Sequence, residues 1–137
     1  MHPITRADIV DIAQYELERQ DSRAMVIELK RSRRVQVGDL VTLVFENRDT
    51  VRFQIQEMMR AERIVTDDRI QQEIDTYNEL IPPQNSLSAT LLIEITDQEH
   101  LREILDRFIG LDHGGTTFLL LGSDRVEADY EGGRSKE

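Results

Sequence analysis

Apolar residues recur at helical spacing near the start of the chain, at Ile9, Ile12, Ala13 and Leu17. Residues that lie three or four apart share one face of a helix, and this pattern therefore predicts an amphipathic helix over about residues 6–20. The chain is thus expected to begin with a helix.

Helix-start signals occur twice in the first quarter of the chain. Thr5 and Asp8 have the spacing of a capping box, in which each side chain bonds to the backbone of the other residue. Asp21 or Ser22 would cap a second helix. Its apolar face would consist of Met25, Val26 and Leu29. Ile27 does not fit this face, so a strand stays open as the alternative.

Alternation replaces helical spacing in the next segment. Residues 35–39 predict a short strand that ends in a turn. Two runs then alternate apolar and polar positions: Val41, Leu43 and Phe45, followed by Val51, Phe53 and Ile55. Asn47 and Asp49 lie between the runs, and such residues favour turns. The pattern predicts an antiparallel hairpin, with a helix from about Gln56.

The second half alternates between helices and strands. A helix capped at Thr66 or Asp67 should end at Pro82, because proline cannot continue a helix. Its predicted stripe is Ile70, Ile74, Tyr77 and Ile81. Further on, the pattern predicts a strand over 88–95, a capping box over 96–99 and a helix over 101–108. It ends with a strand over 116–121 and a short strand over 126–130.

The run Phe118–Leu121 is apolar at every position, which predicts a central strand buried on both faces. The order of elements predicts an α+β fold: a mainly antiparallel sheet with helices packed on one face and a helical N-terminus. The length of 137 residues suits a single domain, expected over 1–130, followed by a flexible tail over 131–137.

Composition narrows the classes of function. The chain has no cysteine, which removes disulfides, iron–sulfur ligation and a cysteine nucleophile. Its net charge of -10 disfavours nucleic acid and anionic membranes as partners. No signal peptide is visible, and no apolar run approaches the ~20 residues of a membrane span. A cytoplasmic location is the default expectation.

The densest mixture of polar and apolar residues lies at positions 53–63. One interpretation is a polar network that lines a ligand-binding or catalytic cleft. Its candidate residues are Gln54, Gln56, Glu57, Arg60 and Glu62, with Tyr77 and Asn78 as further candidates. The other interpretation is a helix with surface ion pairs, such as Glu57 with Arg60, and methionines that fill the core.

A basic cluster stands out in this acidic chain. Its cations are Lys30, Arg31, Arg33 and Arg34. They could be favoured by the negative end of a helix dipole, or they could form an anion site or a docking patch for an acidic partner. Both interpretations stay open.

Metal and cofactor chemistry has little basis in the sequence. The three histidines occupy positions 2, 100 and 113, and no His-x-x-x-His or Glu-x-x-His pair is present. They are expected to be surface residues, and no cofactor or metal is predicted. A carboxylate-rich site of Glu57, Glu62 and His113 is the alternative hypothesis.

Two motifs suggest a family. The segments Phe45–Thr50 and Gln54–Glu62, with later landmarks at Tyr77–Pro82, Ser88–Leu91 and Gly110–Leu111, resemble an uncharacterised bacterial family, a domain of unknown function. The resemblance covers most of residues 4–121. It implies a genomic setting beside rubrerythrin-like di-iron proteins and Fe–S oxidoreductases, and it assigns no catalytic residue.

Two functions remain in competition. The favoured one is a non-catalytic accessory or interaction protein of a bacterial redox or oxidative-stress system, with a redox protein as its partner. The alternative is a small enzyme or ligand-binding domain that uses residues 54–62. A homodimer is also plausible, because Phe118–Leu121 and the pair Met58 and Met59 offer apolar surface.

Overall fold

A computed structural model describes residues 1–131 of the chain. It forms two compact units, Met1–Glu94 and Ile95–Glu137. The helices and antiparallel sheets confirm the predicted α+β class. Whether the chain acts as the single domain predicted from its length stays a prediction. Most of the predicted tail, residues 132–137, lies outside the described residues.

The first unit contains three helices and a three-stranded sheet. The helices are α1 (Ile12–Arg31), α2 (Arg48–Glu62) and α3 (Asp67–Asn78). The strands are β1 (Arg34–Val37), β2 (Val41–Phe45) and β3 (Ala89–Ile93). They form an antiparallel sheet in the order β1-β2-β3. A short 3-10 turn, Arg6–Asp8, precedes α1.

The segment predicted as the second arm of a hairpin is helical, which corrects the prediction for residues 51–55. Asn47 caps α2 by accepting a hydrogen bond from the Thr50 backbone N–H at 2.9 Å, instead of forming a turn. Val51 and Ile55 fit the two-residue period of a strand, but with Met59 they also fit the four-residue spacing of one helix face. The helical spacing prevails because it places all three side chains in the core.

The predicted pair of N-terminal helices is a single 20-residue helix, α1, capped by Asp11. Asp21 and Ser22, expected as a helix start, lie within it. Thr5 and Asp8 do form the predicted capping contact, with the Thr5 N–H 2.8 Å from Asp8 Oδ2, but it closes only the 3-10 turn. Leu17, placed on the apolar face of the predicted amphipathic helix, is 82% exposed.

The core of the first unit lies between the N-terminal segment, α2 and α3. Its buried members are Ile4, Ile9, Val51, Ile55, Met59, Ile64, Ile70, Ile74 and Ile81. Met58 is half-buried and packs against this cluster. The prediction that the adjacent methionines fill the core is therefore confirmed.

The second unit contains α4 (Leu101–Asp106) and a two-stranded antiparallel sheet of β4 (Phe118–Leu121) and β5 (Asp124–Glu127). The prediction of a central, doubly buried strand at 116–121 is wrong, because all four residues of β4 are exposed. The predicted capping box at 96–99 does not form. Instead, Asp97 Oδ1 accepts hydrogen bonds from the backbone N–H groups of Glu99 and His100.

Candidate functional site

The polar residues of α2 meet α1 in a compact cluster of charged groups. The Arg19 guanidinium donates two hydrogen bonds to Glu57, with Nε 3.0 Å from Oε2 and Nη2 3.0 Å from Oε1. The Tyr15 hydroxyl donates to the same Oε2 at 2.9 Å. Arg60, one turn further along α2, pairs with Glu16 on α1. We refer to these five residues as the α1–α2 cluster.

Electrostatics within the α1–α2 cluster favour its present protonation states. The bonds from Arg19 are the main reason why the pKa of Glu57 lies below its usual range. Burial, together with the bond to Glu57, raises the pKa of the Tyr15 hydroxyl. The site therefore holds an ionised carboxylate and a protonated phenol, and both carboxylate oxygens are already bonded. Such a carboxylate is poorly prepared to act as a proton acceptor.

Two other candidates act as clamps on the N-terminal segment. The Gln56 carboxamide accepts a bond from the Val10 N–H at 2.8 Å and donates one to the Val10 carbonyl at 3.1 Å. Asn78 bonds in the same way to both backbone groups of Ile4, at 2.8 and 2.9 Å. Each carboxamide thus satisfies both the backbone N–H and the backbone carbonyl of a single residue.

The remaining candidates of the predicted cleft do not join these groups. Gln54 and Glu62 are exposed, and Tyr77 packs against the core of the first unit. Glu57 and Arg60 bind different residues of α1, Arg19 and Glu16, instead of forming the predicted ion pair with each other. Gln56 and Asn78 lie at separate contacts. Whether any of the seven residues binds a ligand stays a prediction.

Three of the four cations of the basic cluster have a partner nearby. Arg31 lies 3.3 Å from Glu28, Arg34 lies 3.6 Å from Glu94, and Arg33 donates to the Phe45 carbonyl at 3.3 Å. Lys30 and Arg31 end α1, where the helix dipole favours cations. An anion or partner bound at this cluster stays a prediction.

Among residues 1–131, no group of three or more His, Cys, Asp or Glu side chains is placed to hold a metal ion. Glu57, part of the hypothetical carboxylate site, is instead held by Arg19 and Tyr15. His100 lies against Asp97, with Nδ1 2.7 Å from Oδ2.

Tyr15, Glu16 and Arg19, all on α1, were not among the residues that the sequence pattern indicated. A signal was present: Ile12, Tyr15, Arg19, Ser22 and Val26 are spaced three and four residues apart and share the buried or half-buried side of the helix. Arg19 and Ser22 are the polar members of this series, and Ser22 also suits a helix cap. An apolar pattern alone therefore does not reveal that the five residues share one side of a continuous helix.

An open depression of about 350 Å³ lies beside the α1–α2 cluster. Its lining residues are Glu16, Arg19, Gln20, Arg23, Ala24 and Ile27, all from α1. A second depression, of about 370 Å³, is lined by Ser32, Arg33, Phe45 and Leu87. No helix of the described residues is long and apolar enough to cross a membrane.

The fold and the site define a small α+β protein in which the charged residues of the α1–α2 cluster are bonded to one another. The chain belongs to the family described as "Protein of unknown function (DUF3501)", whose model matches residues 3–137. A crystal structure of a novel protein of unknown function from Burkholderia pseudomallei is similar to it, with 31% identity and a TM-score of 0.80. The similarity covers 94% of this chain and 77% of that one. No curated protein matches the chain.

Proposed function

We propose that the protein is a non-catalytic accessory protein that acts by binding another protein through the outer side of α1. The observation that carries this proposal is the shape of the depression beside the α1–α2 cluster. All six residues that line it come from one helix. A single helix cannot surround a small molecule, whereas ligand pockets bury most of the surface of what they bind. A protein surface can cover such a depression.

The chemistry of this surface agrees with a protein partner. Ile27 lines the depression and is 51% exposed. Arg23, Gln20 and Glu16 place both signs of charge and an amide around it. An apolar residue with a polar and charged surround is the usual composition of a contact between proteins.

The partner in this proposal is a redox protein of a bacterial oxidative-stress system, in the cytoplasm. This part is supported only by the resemblance of the motifs to a family whose genes lie beside di-iron and Fe–S proteins. The net charge of -10 favours a protein partner over a nucleic acid.

The competing function is a small enzyme or ligand-binding domain at residues 54–62. It would require Glu57 to exchange its bonds from Arg19 and Tyr15 for bonds to a ligand. Because those bonds already satisfy both carboxylate oxygens, we favour the accessory role.

The test is affinity purification of the tagged chain from its native host under gentle conditions. The wild-type chain should recover a partner that carries iron, measured by metal analysis and visible absorption. Ile27→Glu should lose that partner. Met25→Glu is the matched control, because Met25 is also an exposed apolar residue of α1 but does not line the depression. Recovery of the wild-type chain alone, with the candidate redox proteins expressed, would contradict the proposal.

A further inference from the structure

The hairpin of the second unit has one protected edge and one open edge. Among residues 1–131, β4 pairs with β5 alone. β5 carries Asp124, Arg125 and Glu127, and charged side chains are a common protection of a free strand edge. β4 consists of Phe118 and three leucines and carries no charge. Its outer edge therefore lacks the protection that β5 has.

The register of the hairpin determines which backbone groups of β4 face the open edge. The Ala128 N–H donates to the Thr117 carbonyl at 2.9 Å, so these two residues form a hydrogen-bonded pair. Such pairs alternate with non-hydrogen-bonded pairs along an antiparallel ladder. The N–H and carbonyl groups of Phe118 and Leu120 therefore point away from β5. Within the described part of the chain, no backbone hydrogen bond satisfies them.

The hairpin also lacks packing of its own. No residue between 95 and 131 is buried, and Leu120 is 62% exposed. An isolated two-stranded hairpin is marginal in water, whereas three or more strands with an apolar face can be stable. A further strand on the open edge would supply both the missing hydrogen bonds and the missing apolar contacts.

A second copy of β4 suits this edge. The six residues after the described part of the chain, 132–137, contain no apolar side chain to match Phe118 and Leu120. A net charge of -10 opposes contact between copies wherever acidic residues meet. Residues 113–123 contain no Lys, Arg, Asp or Glu, so two copies can meet along β4 without bringing like charges together.

We infer that β4 pairs with β4 of a second copy, antiparallel and around a two-fold axis, in a four-stranded sheet of order β5-β4-β4-β5. Phe118 of each copy forms a hydrogen-bonded pair with Leu120 of the other, which gives four backbone hydrogen bonds. Leu119 faces its own counterpart at the axis, as a non-hydrogen-bonded pair. Both outer edges are then charged β5 strands, so the assembly closes as a dimer.

The geometry of the neighbouring residues selects this register. A shift of two positions in one direction would pair Thr116, whose hydroxyl already bonds to the carbonyls of Leu111 and His113. A shift in the other direction would pair Gly122, which has a φ of 62° and belongs to the turn. Only the register centred on Leu119 uses strand residues alone.

This self-association goes beyond the proposed accessory role and involves the second unit, whereas that role uses α1. Two short strands form a contact below the ~1,200 Å² at which stable complexes begin, so the dimer should be weak. Sedimentation should show the mass rising from 15.9 kDa towards twice that value between about 5 μM and about 1 mM. Unfolding experiments at a few micromolar therefore report on separate chains. A constant monomer mass up to 1 mM would overturn the inference.

Cross-linking tests the register, and the absence of cysteine from the chain makes one introduced thiol unambiguous. Leu119→Cys should form a covalent dimer on mild oxidation, because the two thiols face each other at the axis. The matched control is Leu121→Cys, on the same side of the same strand. Its two copies would lie about 14 Å apart, too far for a disulfide. Equal rates of cross-linking for the two variants would contradict the proposed pairing.

A charge exchange identifies the occupant of the edge. Leu119→Lys alone and Leu119→Glu alone should each stay monomeric, because like charges would lie directly opposite each other. Mixed in equal amounts, they should form a mixed dimer, and this recovery shows that neither variant was simply damaged. Leu121→Lys should still dimerise, because its side chain would face Thr117. If the mixture stays monomeric, or if Leu121→Lys dissociates as readily as Leu119→Lys, another strand occupies the edge and the inference is wrong.

Discussion

The two units of this chain contain similar kinds of apolar residue but use them differently. In Met1–Glu94, nine apolar residues form one buried cluster. Between residues 95 and 131, no residue is buried, although Phe118–Leu121 is a continuous apolar run. The amount of apolar sequence therefore does not decide burial. Helices α2 and α3 have stripes long enough to enclose one another, whereas the six residues of α4 and the four of each strand form no enclosing layers.

The largest expected effect comes from the core of the first unit. Ile74→Ala removes three carbons from a side chain with no exposure and should lower the free energy of unfolding by about 2–5 kcal/mol. Ile104→Ala, at a half-buried position of α4, should cost less than about 1 kcal/mol. Urea unfolding measures both. Equal losses of unfolding free energy in the two variants would contradict the conclusion that only the first unit has a buried core.

The next effect concerns the clamp on the N-terminal segment. Gln56→Leu leaves both backbone groups of Val10 without their partner, and should cost about 1–3 kcal/mol. The control is Gln54→Leu in the same helix, where the side chain is exposed and the change should stay within about 0.5 kcal/mol. Proteolysis of the first ten residues should accelerate only in Gln56→Leu. An unaffected N-terminus would show that the carboxamide does not hold it.

A smaller effect is expected from Glu57→Gln, about 1–2 kcal/mol at pH 7, because the bonds from Arg19 and Tyr15 lose their charged acceptor. The folded pKa of Glu57 is lowered, so its contribution is present above the unfolded value and is lost as pH falls through the folded pKa. The difference between wild type and variant should therefore shrink as the pH falls below about 4. Urea unfolding from pH 7 to pH 3 measures it. A constant difference would refute the role assigned to ionisation.

The smallest effect belongs to the hairpin of the second unit. Leu120 is 62% exposed and lies opposite Arg125 on the paired strand. Leu120→Ala should change the free energy of unfolding by less than about 0.5 kcal/mol. Thermal melts and urea curves that superimpose on wild type are the expected result. A loss above 1 kcal/mol would reveal packing on this side of the hairpin.

Parts of the first unit could be predicted because several local signals agree. Thr66 precedes α3, and Ile70 and Ile74 of the predicted stripe are buried. The helix ends at Asn78, four residues before Pro82, and the stripe continues through Ile81, whose N–H bonds to the Asn78 carbonyl at 3.1 Å. The strand predicted over 88–95 contains β3. Where caps, spacing and breakers point to one element, the sequence specifies it.

Predictions failed where one segment fits both the two-residue period of a strand and the 3.6-residue period of a helix. Val51 and Ile55 fit both a strand and a helix, and the helix prevails because it also places Met59 in the core. The α1–α2 cluster was only half predicted for a related reason. Glu57 and Arg60 are one turn apart, but their partners are more than 35 positions away in the sequence. No local pattern connects Glu57 with Arg19.

The sequence by itself determined the α+β class, the antiparallel character of the sheets and most of the elements, because propensity, capping and periodicity act within a few residues. Only the tertiary structure decided that α1 is continuous, that Gln56 and Asn78 hold the N-terminal segment, and that Thr42 and Val44 are the buried residues of β2. Those outcomes depend on which helix and sheet faces pack against each other. Packing joins residues that are distant in sequence, so the local pattern of a single segment does not specify it.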